Sequence, residues 1–261
     1  MSLLAKFNEV VVDNVSRLSA NDREVCEKFQ TDYDDFLRFS KAHIEFHEAN
    51  PIDNYFFTNN HAVKDIESAM KDRKGSFISN LVHHFHKTYN VTLDSRSIQE
   101  KYENVEPLHY DSIVEEVFEQ LGGQSFEEKA IRELKGKTVK AVYSRDELSL
   151  KGKKISIPNL VYCAGYSSEY RLSYSDTDVK TVFKALSHYL YGAFDMKYPF
   201  NHFYKMLESY DYQKEKFEKY ETGEDKVLSL KIFKNHKLDI EFESKEYAEQ
   251  FARDYLGYNP S

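Results

Sequence analysis

The stretch from Lys226 to Gly257 constrains the fold most tightly. Apolar residues alternate at Leu228, Leu230 and Ile232, and resume at Leu238, Ile240 and Phe242 with Asp239, Glu241 and Glu243 interleaved. A period of two with one apolar face specifies a pair of strands. Register then constrains the connection. A two-residue loop at Asn235-His236 would set Ile232 opposite Asp239, and a slip of one residue exchanges the two faces. A three-residue loop, Asn235-His236-Lys237, sets Ile232 against Ile240 and Leu230 against Phe242, with Asn or His in the left-handed position. A helix follows at once. Ser244 caps it, Glu246 lies in its first turn, and Tyr247, Ala248, Phe251, Ala252, Tyr255 and Leu256 form its stripe before Gly257 ends it. Such a hairpin and helix cover each other as half of an α+β layer.

A similar unit precedes it. Leu148 and Leu150 alternate, as do Ile155 and Ile157, and a two-residue Gly152-Lys153 turn sets Leu150 against Ile155, with Gly suited to the first position of a type II′ turn. Further strands are expected at Val139–Tyr143, Leu160–Cys163 and Tyr170–Tyr174. Ser175 is placed to cap a helix carrying Val179, Val182, Phe183, Leu186 and Leu190 up to Gly192, and 200–220 reads as a charged helix.

Upstream, the chain reads as helix throughout. Leu4, Phe7, Val11, Val15 and Leu18 share one face. Asn21 is placed to cap a long helix through Val25, Phe29, Tyr33, Phe36, Ser40, Ile44 and His47 to Ala49, and Pro51 stops it. Tyr55-Phe56-Phe57 reads as an aromatic loop. A helix around Val63, Ile66 and Met70 is expected to end at Lys74-Gly75, with another from Ser76 carrying Phe77, Leu81 and Phe85. Weaker helix is read at Asp94–Tyr102, an amphipathic helix over Ile113–Leu121, and a capping box at Ser125–Glu128 opening a helix that ends at Gly136. The period changes from 3.6 to 2 near Gly136. The reading is therefore an α+β protein with a helical region over 1–136 and an α+β domain of two hairpin–helix units over 137–261.

Composition narrows the function classes. The 261 residues carry a net charge of −8, which opposes non-specific binding to nucleic acid by the whole surface while allowing a local basic patch. Twenty Tyr and nineteen Phe, with no Trp, are read as core or as an aromatic binding surface. No apolar run is long enough to span a membrane, no secretory leader is evident, and Cys26 and Cys163 form no metal or redox motif. A cytoplasmic setting is the expectation.

Several residues are candidates for chemistry. His43 and His47 stand at i and i+4 on one helix face, a spacing that holds a metal if a third ligand comes from elsewhere and otherwise continues the helical stripe. His83, His84 and His86 cluster on a second helix, with His61, Asp65 and His109 able to join either set or neither. Lys151, Lys153 and Lys154 form a basic hairpin tip that suits phosphate contacts or a solvated turn. Arg171, among Tyr166, Tyr170 and Tyr174, suits base stacking or sheet packing. Glu243-Ser244-Lys245 resembles a nuclease element only superficially, because Ser244 is a cap. Cys163 lacks a paired His. No Gly-rich loop follows a strand, so no cofactor is expected.

The run Ile232-Phe233-Lys234-Asn235-His236-Lys237-Leu238-Asp239-Ile240-Glu241-Phe242 resembles the phrase near the end of a bacterial and phage domain family of unknown function. The likeness covers roughly 138–257, with Tyr170–Asp176 as the upstream polar-aromatic segment. His236 stands where Gly is common. Members occur on phages and mobile elements, sometimes fused or adjacent to adenine-specific DNA methyltransferase domains. The resemblance implies an accessory domain and carries over no catalytic residue. Three functional readings follow. The first is a non-catalytic binding module for protein or nucleic acid. The second is a metal-dependent enzyme acting on nucleic acid through His43 and His47. The third is a protein that oligomerises through the near-heptad helix 21–49.

Overall fold

Ser19, and not Asn21, caps the first long helix. Its hydroxyl accepts from the Asp22 backbone N–H at 3.1 Å, and α1 (Ala20–Ala49) runs for 30 residues. In this computed structural model the described residues are 14–50, 53–54, 57–143, 148–161, 163–164, 171–172, 177–209, 211 and 214–258. The expected face of Leu4, Phe7 and Val11 lies outside them, as do Tyr55 and Phe56. Asn14–Arg17 form one 3-10 turn. A two-residue antiparallel ladder joins β1 (Asp53–Asn54) and β2 (Phe57–Thr58).

The helix α2 (Asn59–Tyr89) is continuous through Gly75, where the sequence suggests two helices. A mid-helix glycine costs about 1 kcal/mol and does not stop a helix that packing supports. Here Lys74 is buried and donates to the Glu103 carbonyl, while Gln99 donates to the Gly75 carbonyl. Then come α3 (Ser95–Lys101), capped by Asp94, and α4 (Tyr110–Leu121), closed by left-handed Gly122. The core of this unit gathers Cys26, Tyr33, Phe77, Leu81, Phe85, Ile113 and Val117.

The capping box forms as expected: Glu128 accepts from the Ser125 N–H at 2.8 Å, and Ser125 from the Glu128 N–H at 3.1 Å. The helix it opens, α5 (Phe126–Tyr143), runs past Gly136, so the strand expected at Val139–Tyr143 is helical. Ala130, Leu134, Thr138, Ala141 and Val142 are buried along it at helical spacing. The chain divides into two compact units, Met1–Lys129 and Ala130–Ser261. The division falls inside α5.

In the second unit, β3 (Ser149–Lys151) and β4 (Lys154–Ile157) pair in the expected register, Leu150 opposite Ile155, with Gly152 at φ 58°. Of the two further strands expected, β5 (Cys163–Ala164) and β6 (Arg171–Leu172) form a separate short ladder. Ser175 lies outside the described residues. The helix α6 (Thr177–Tyr191) ends at left-handed Gly192. The long helix expected over 200–220 is not one element. α7 (Phe200–Glu208) stops at Ser209, whose carbonyl accepts from the buried Lys216 ammonium, and a 3-10 turn, Glu215–Phe217, leads to β7 (Tyr220–Glu221). The C-terminal hairpin, β8 (Val227–Ile232) and β9 (Leu238–Phe242), completes one antiparallel sheet of order β3-β4-β9-β8-β7. Both hairpins share it through the β4–β9 pairing.

The final hairpin departs from its expected register. Ile232 faces Leu238, and Leu230 faces Ile240. Phe233 and Lys237 are joined by a 2.9 Å backbone hydrogen bond, so the three-residue loop is Lys234-Asn235-His236, one residue earlier than expected. His236 takes the left-handed conformation at φ 68°. The faces are unchanged, because moving the loop by one shifts both strands. A bulge between Val227 and Ser229 puts Val227, and not Leu228, in the core. α8 (Lys245–Leu256) forms as expected, with Ser244 as its cap and Gly257 left-handed at its end. Phe251 and Tyr255 stack at 5.1 Å and pack with Tyr189 and Phe242 against the sheet's apolar face.

Candidate functional site

Alternation sends Leu230 and Ile232 into the core and leaves Ser229, Lys231 and Phe233 on the opposite face of the sheet. Lys237, Asp239 and Glu241 lie beside them on the neighbouring strand. This face has a charged middle and an aromatic end.

Two carboxylates organise the middle. Asp239 is only 8% exposed and accepts from the Ser156 hydroxyl at 2.6 Å, with the Lys237 ammonium at 3.0 Å and that of Lys154 at 3.8 Å. Glu241 has Lys219 at 3.0 Å and Lys153 at 3.2 Å. Lys219 first, and then Lys153, hold the Glu241 carboxyl below its ordinary range against the opposing effect of burial. Opposite charges on adjacent strands stabilise a sheet face. Lys153 and Lys154 are thereby engaged with carboxylates of their own chain. Lys151 is exposed at the end of β3.

The aromatic end is a shallow groove of about 440 Å³ lined by Phe217, Lys231, Ile232, Phe233, Lys234 and Asn235. Two half-buried phenyl rings sit among ammonium groups. Lys237 lies 4.1 Å and Lys231 5.2 Å from the Phe233 ring centre, and Lys234 5.7 Å from that of Phe217. The early placement of the turn brings Lys234 and Phe233 together here. The 3-10 turn brings Phe217. Apolar walls with a cationic rim suit a flat apolar or aromatic group that has an anionic group beside it.

The histidines resolve into separate settings. His43 and His47 meet, with Nε2 atoms 3.2 Å apart. His83 and His86 are exposed neighbours with ring centres 6.1 Å apart. His84 instead turns inward, its Nε2 2.7 Å from Oδ1 of buried Asp22, which also accepts from the Ser19 and Tyr89 hydroxyls. Burial opposes ionisation of Asp22, yet hydrogen bonds from Ser19, Tyr89 and His84 hold its carboxyl below the usual range. Burial, aided by that carboxylate, pushes the Tyr89 phenol up to about 12. His109 caps α4, with Nδ1 2.9 Å from Asp111. Among the described residues, no three or more His, Cys, Asp or Glu side chains converge as a metal site, so His61, Asp65 and His109 do not complete one.

Burial also pushes the Cys26 thiol up to about 12, which suits a core residue and not a nucleophile. Arg171 lies in the β5–β6 ladder, its side chain outside the described residues, as are Tyr166, Tyr170 and Tyr174. Sequence reasoning missed both the Asp22 cluster and the Phe217–Phe233 groove. Phe217 was hidden in a segment read as helix, and Asp22 finds its partners more than sixty residues away. No helix among the described residues is long and apolar enough to cross a membrane. Comparison with known protein families, curated proteins and solved structures finds no match in any of the three.

Proposed function

We propose that the chain is a non-catalytic module that binds single-stranded nucleic acid at the Phe217–Phe233 groove. The observation that carries this reading is the pairing of two half-buried phenyl rings with three lysines, Lys231, Lys234 and Lys237, in a chain of net charge −8. Every base offers a π-face, and stacking on an aromatic side chain contributes about 1–3 kcal/mol per base. Lys231 and Lys237 lie over the Phe233 ring and Lys234 over that of Phe217, and Lys237 is shared with the Asp239 carboxylate at 3.0 Å. The resemblance of 232–242 to a family found beside adenine-specific DNA methyltransferase domains supports the same reading and suggests a phage or mobile-element setting.

The acidic remainder of the surface opposes a polyanion, so the affinity is modest, with Kd on the order of micromolar to hundreds of micromolar. Fluorescence anisotropy with a labelled oligothymidylate at low salt tests this. Phe233→Leu keeps an apolar side chain and removes the stacking platform, and is expected to weaken binding at least ~5-fold. Absence of binding at ~1 mM chain, or equal binding by wild type and a Phe217→Leu/Phe233→Leu double variant, would contradict the proposal.

A further inference from the structure

On the nucleic-acid reading of the Phe217–Phe233 groove, on which this rests, we infer that Asp239 is an internal competitor for phosphate and restrains binding there. Sheet geometry puts its carboxylate beside the cations of the groove. Lys237 and Asp239 are two residues apart in extended chain and share the polar face, and Lys231 stands directly opposite Asp239 on β8. The Lys237 ammonium lies 3.0 Å from the carboxylate and 4.1 Å from the Phe233 ring centre. A carboxylate oxygen offers this ammonium the same charge-assisted contact that a phosphate oxygen would.

The carboxylate is fixed where it stands. Asp239 is nearly buried, and Ser156, directly opposite it on β4, donates its hydroxyl to Oδ1 at 2.6 Å. Lys154 lies 3.8 Å from Oδ2. Lys237 is a longer, partly exposed side chain. A phosphate entering the groove therefore has to take Lys237 from Asp239, and it meets a stationary negative charge as it does so. Both effects lower affinity. Neutralising Asp239 without changing its shape removes both.

Anisotropy titrations of the full chain with labelled oligothymidylate at one low salt concentration test this. Asp239→Asn keeps an acceptor for the Ser156 hydroxyl and is expected to tighten binding about 3-fold, the size of effect of one partly exposed ion pair. Asp239→Thr, neutral and suited to a strand, is expected to act in the same direction. Lys237→Gln is expected to weaken binding. In that background Asp239→Asn is expected to change affinity less than ~1.5-fold, because the contested ammonium is gone. Far-UV circular dichroism and the urea midpoint check the fold of each variant. Wild-type binding that neither Asp239 variant tightens would overturn the inference and leave the nucleic-acid reading standing. An equal gain with and without Lys237 would overturn it too, since Asp239 would then act as a general surface charge. Absence of binding by wild type and both Asp239 variants would overturn the nucleic-acid reading itself.

Discussion

Asp22 shows how a single residue's role depends on partners that the local sequence does not reveal. It is 1% exposed, and its carboxylate ties the start of α1 to the end of α2 through His84 and Tyr89. Asp22→Ala leaves these donors without their acceptor and is expected to cost about 1–3 kcal/mol, read from urea unfolding. The pH dependence has two arms. A depressed carboxylate stabilises the fold above its ordinary pKa of 3.8, and that contribution is lost as pH falls through the lower folded value. A raised phenol stabilises below its ordinary 10, and its contribution is lost as pH rises toward about 12. Urea unfolding at pH 7, 3 and 11 should show both arms shrinking in the Asp22→Ala protein. Ser19 and Asn21 are both good caps, and nothing nearby distinguishes them. The choice follows from Asp22, three residues after Ser19, being anchored from another helix. His236 is a second local case. A non-glycine residue at φ 68° is strained, so His236→Gly is expected to raise stability by up to about 1 kcal/mol in the same assay.

Among the elements, several caps and ends were legible, while the Asn21 cap and the ends expected at Gly75 and Gly136 were not. The Ser125–Glu128 box, the Ser244 cap and the Gly122, Gly192 and Gly257 ends all form as the residues dictate. Gly75 and Gly136 misled because glycine weakens a helix without forbidding it, and neighbouring packing outweighs about 1 kcal/mol. The β-branched run after Gly136 suggested a strand, yet Leu134, Thr138 and Val142 keep the helical period. A Cβ at Gly136 meets nothing within 4 Å, so Gly136→Ala is expected to stabilise by about 0.5–1 kcal/mol, measured by thermal or urea unfolding. A strand or turn there would give no such gain. Gly257→Ala should do the reverse, because Gly257 has φ 67° and its Cβ would lie 3.3 Å from the methyl carbons of Val139. The bulge at Leu228 was not legible, since alternation continues through it in sequence and only pairing with β9 reveals the extra residue.

At the scale of the molecule, the α+β class followed from the change of period, but the union of two hairpins in one sheet did not. The β4–β9 pairing joins strands some eighty residues apart, and local pattern does not encode it. The same union sets Lys153 and Lys154 of the basic hairpin tip in a charge lattice with Asp239 and Glu241. The proposed groove lies at the far turn, where Phe233 was legible as part of a conspicuous phrase and Phe217 was not. Three lysines at that turn bound the electrostatic share of the interaction. The slope of log affinity against log salt for single strands should be about −2, obtained by repeating the anisotropy titration across salt concentrations. A slope several times steeper would place the contact on a larger basic surface. Photo-crosslinking of an oligonucleotide carrying 5-iodouridine, with the attached peptide mapped by mass spectrometry, locates the contact on the chain. Crosslinks are expected at Phe217 and Phe233. Crosslinks confined to 151–154, or to residues away from the last hairpin, would contradict binding at the groove.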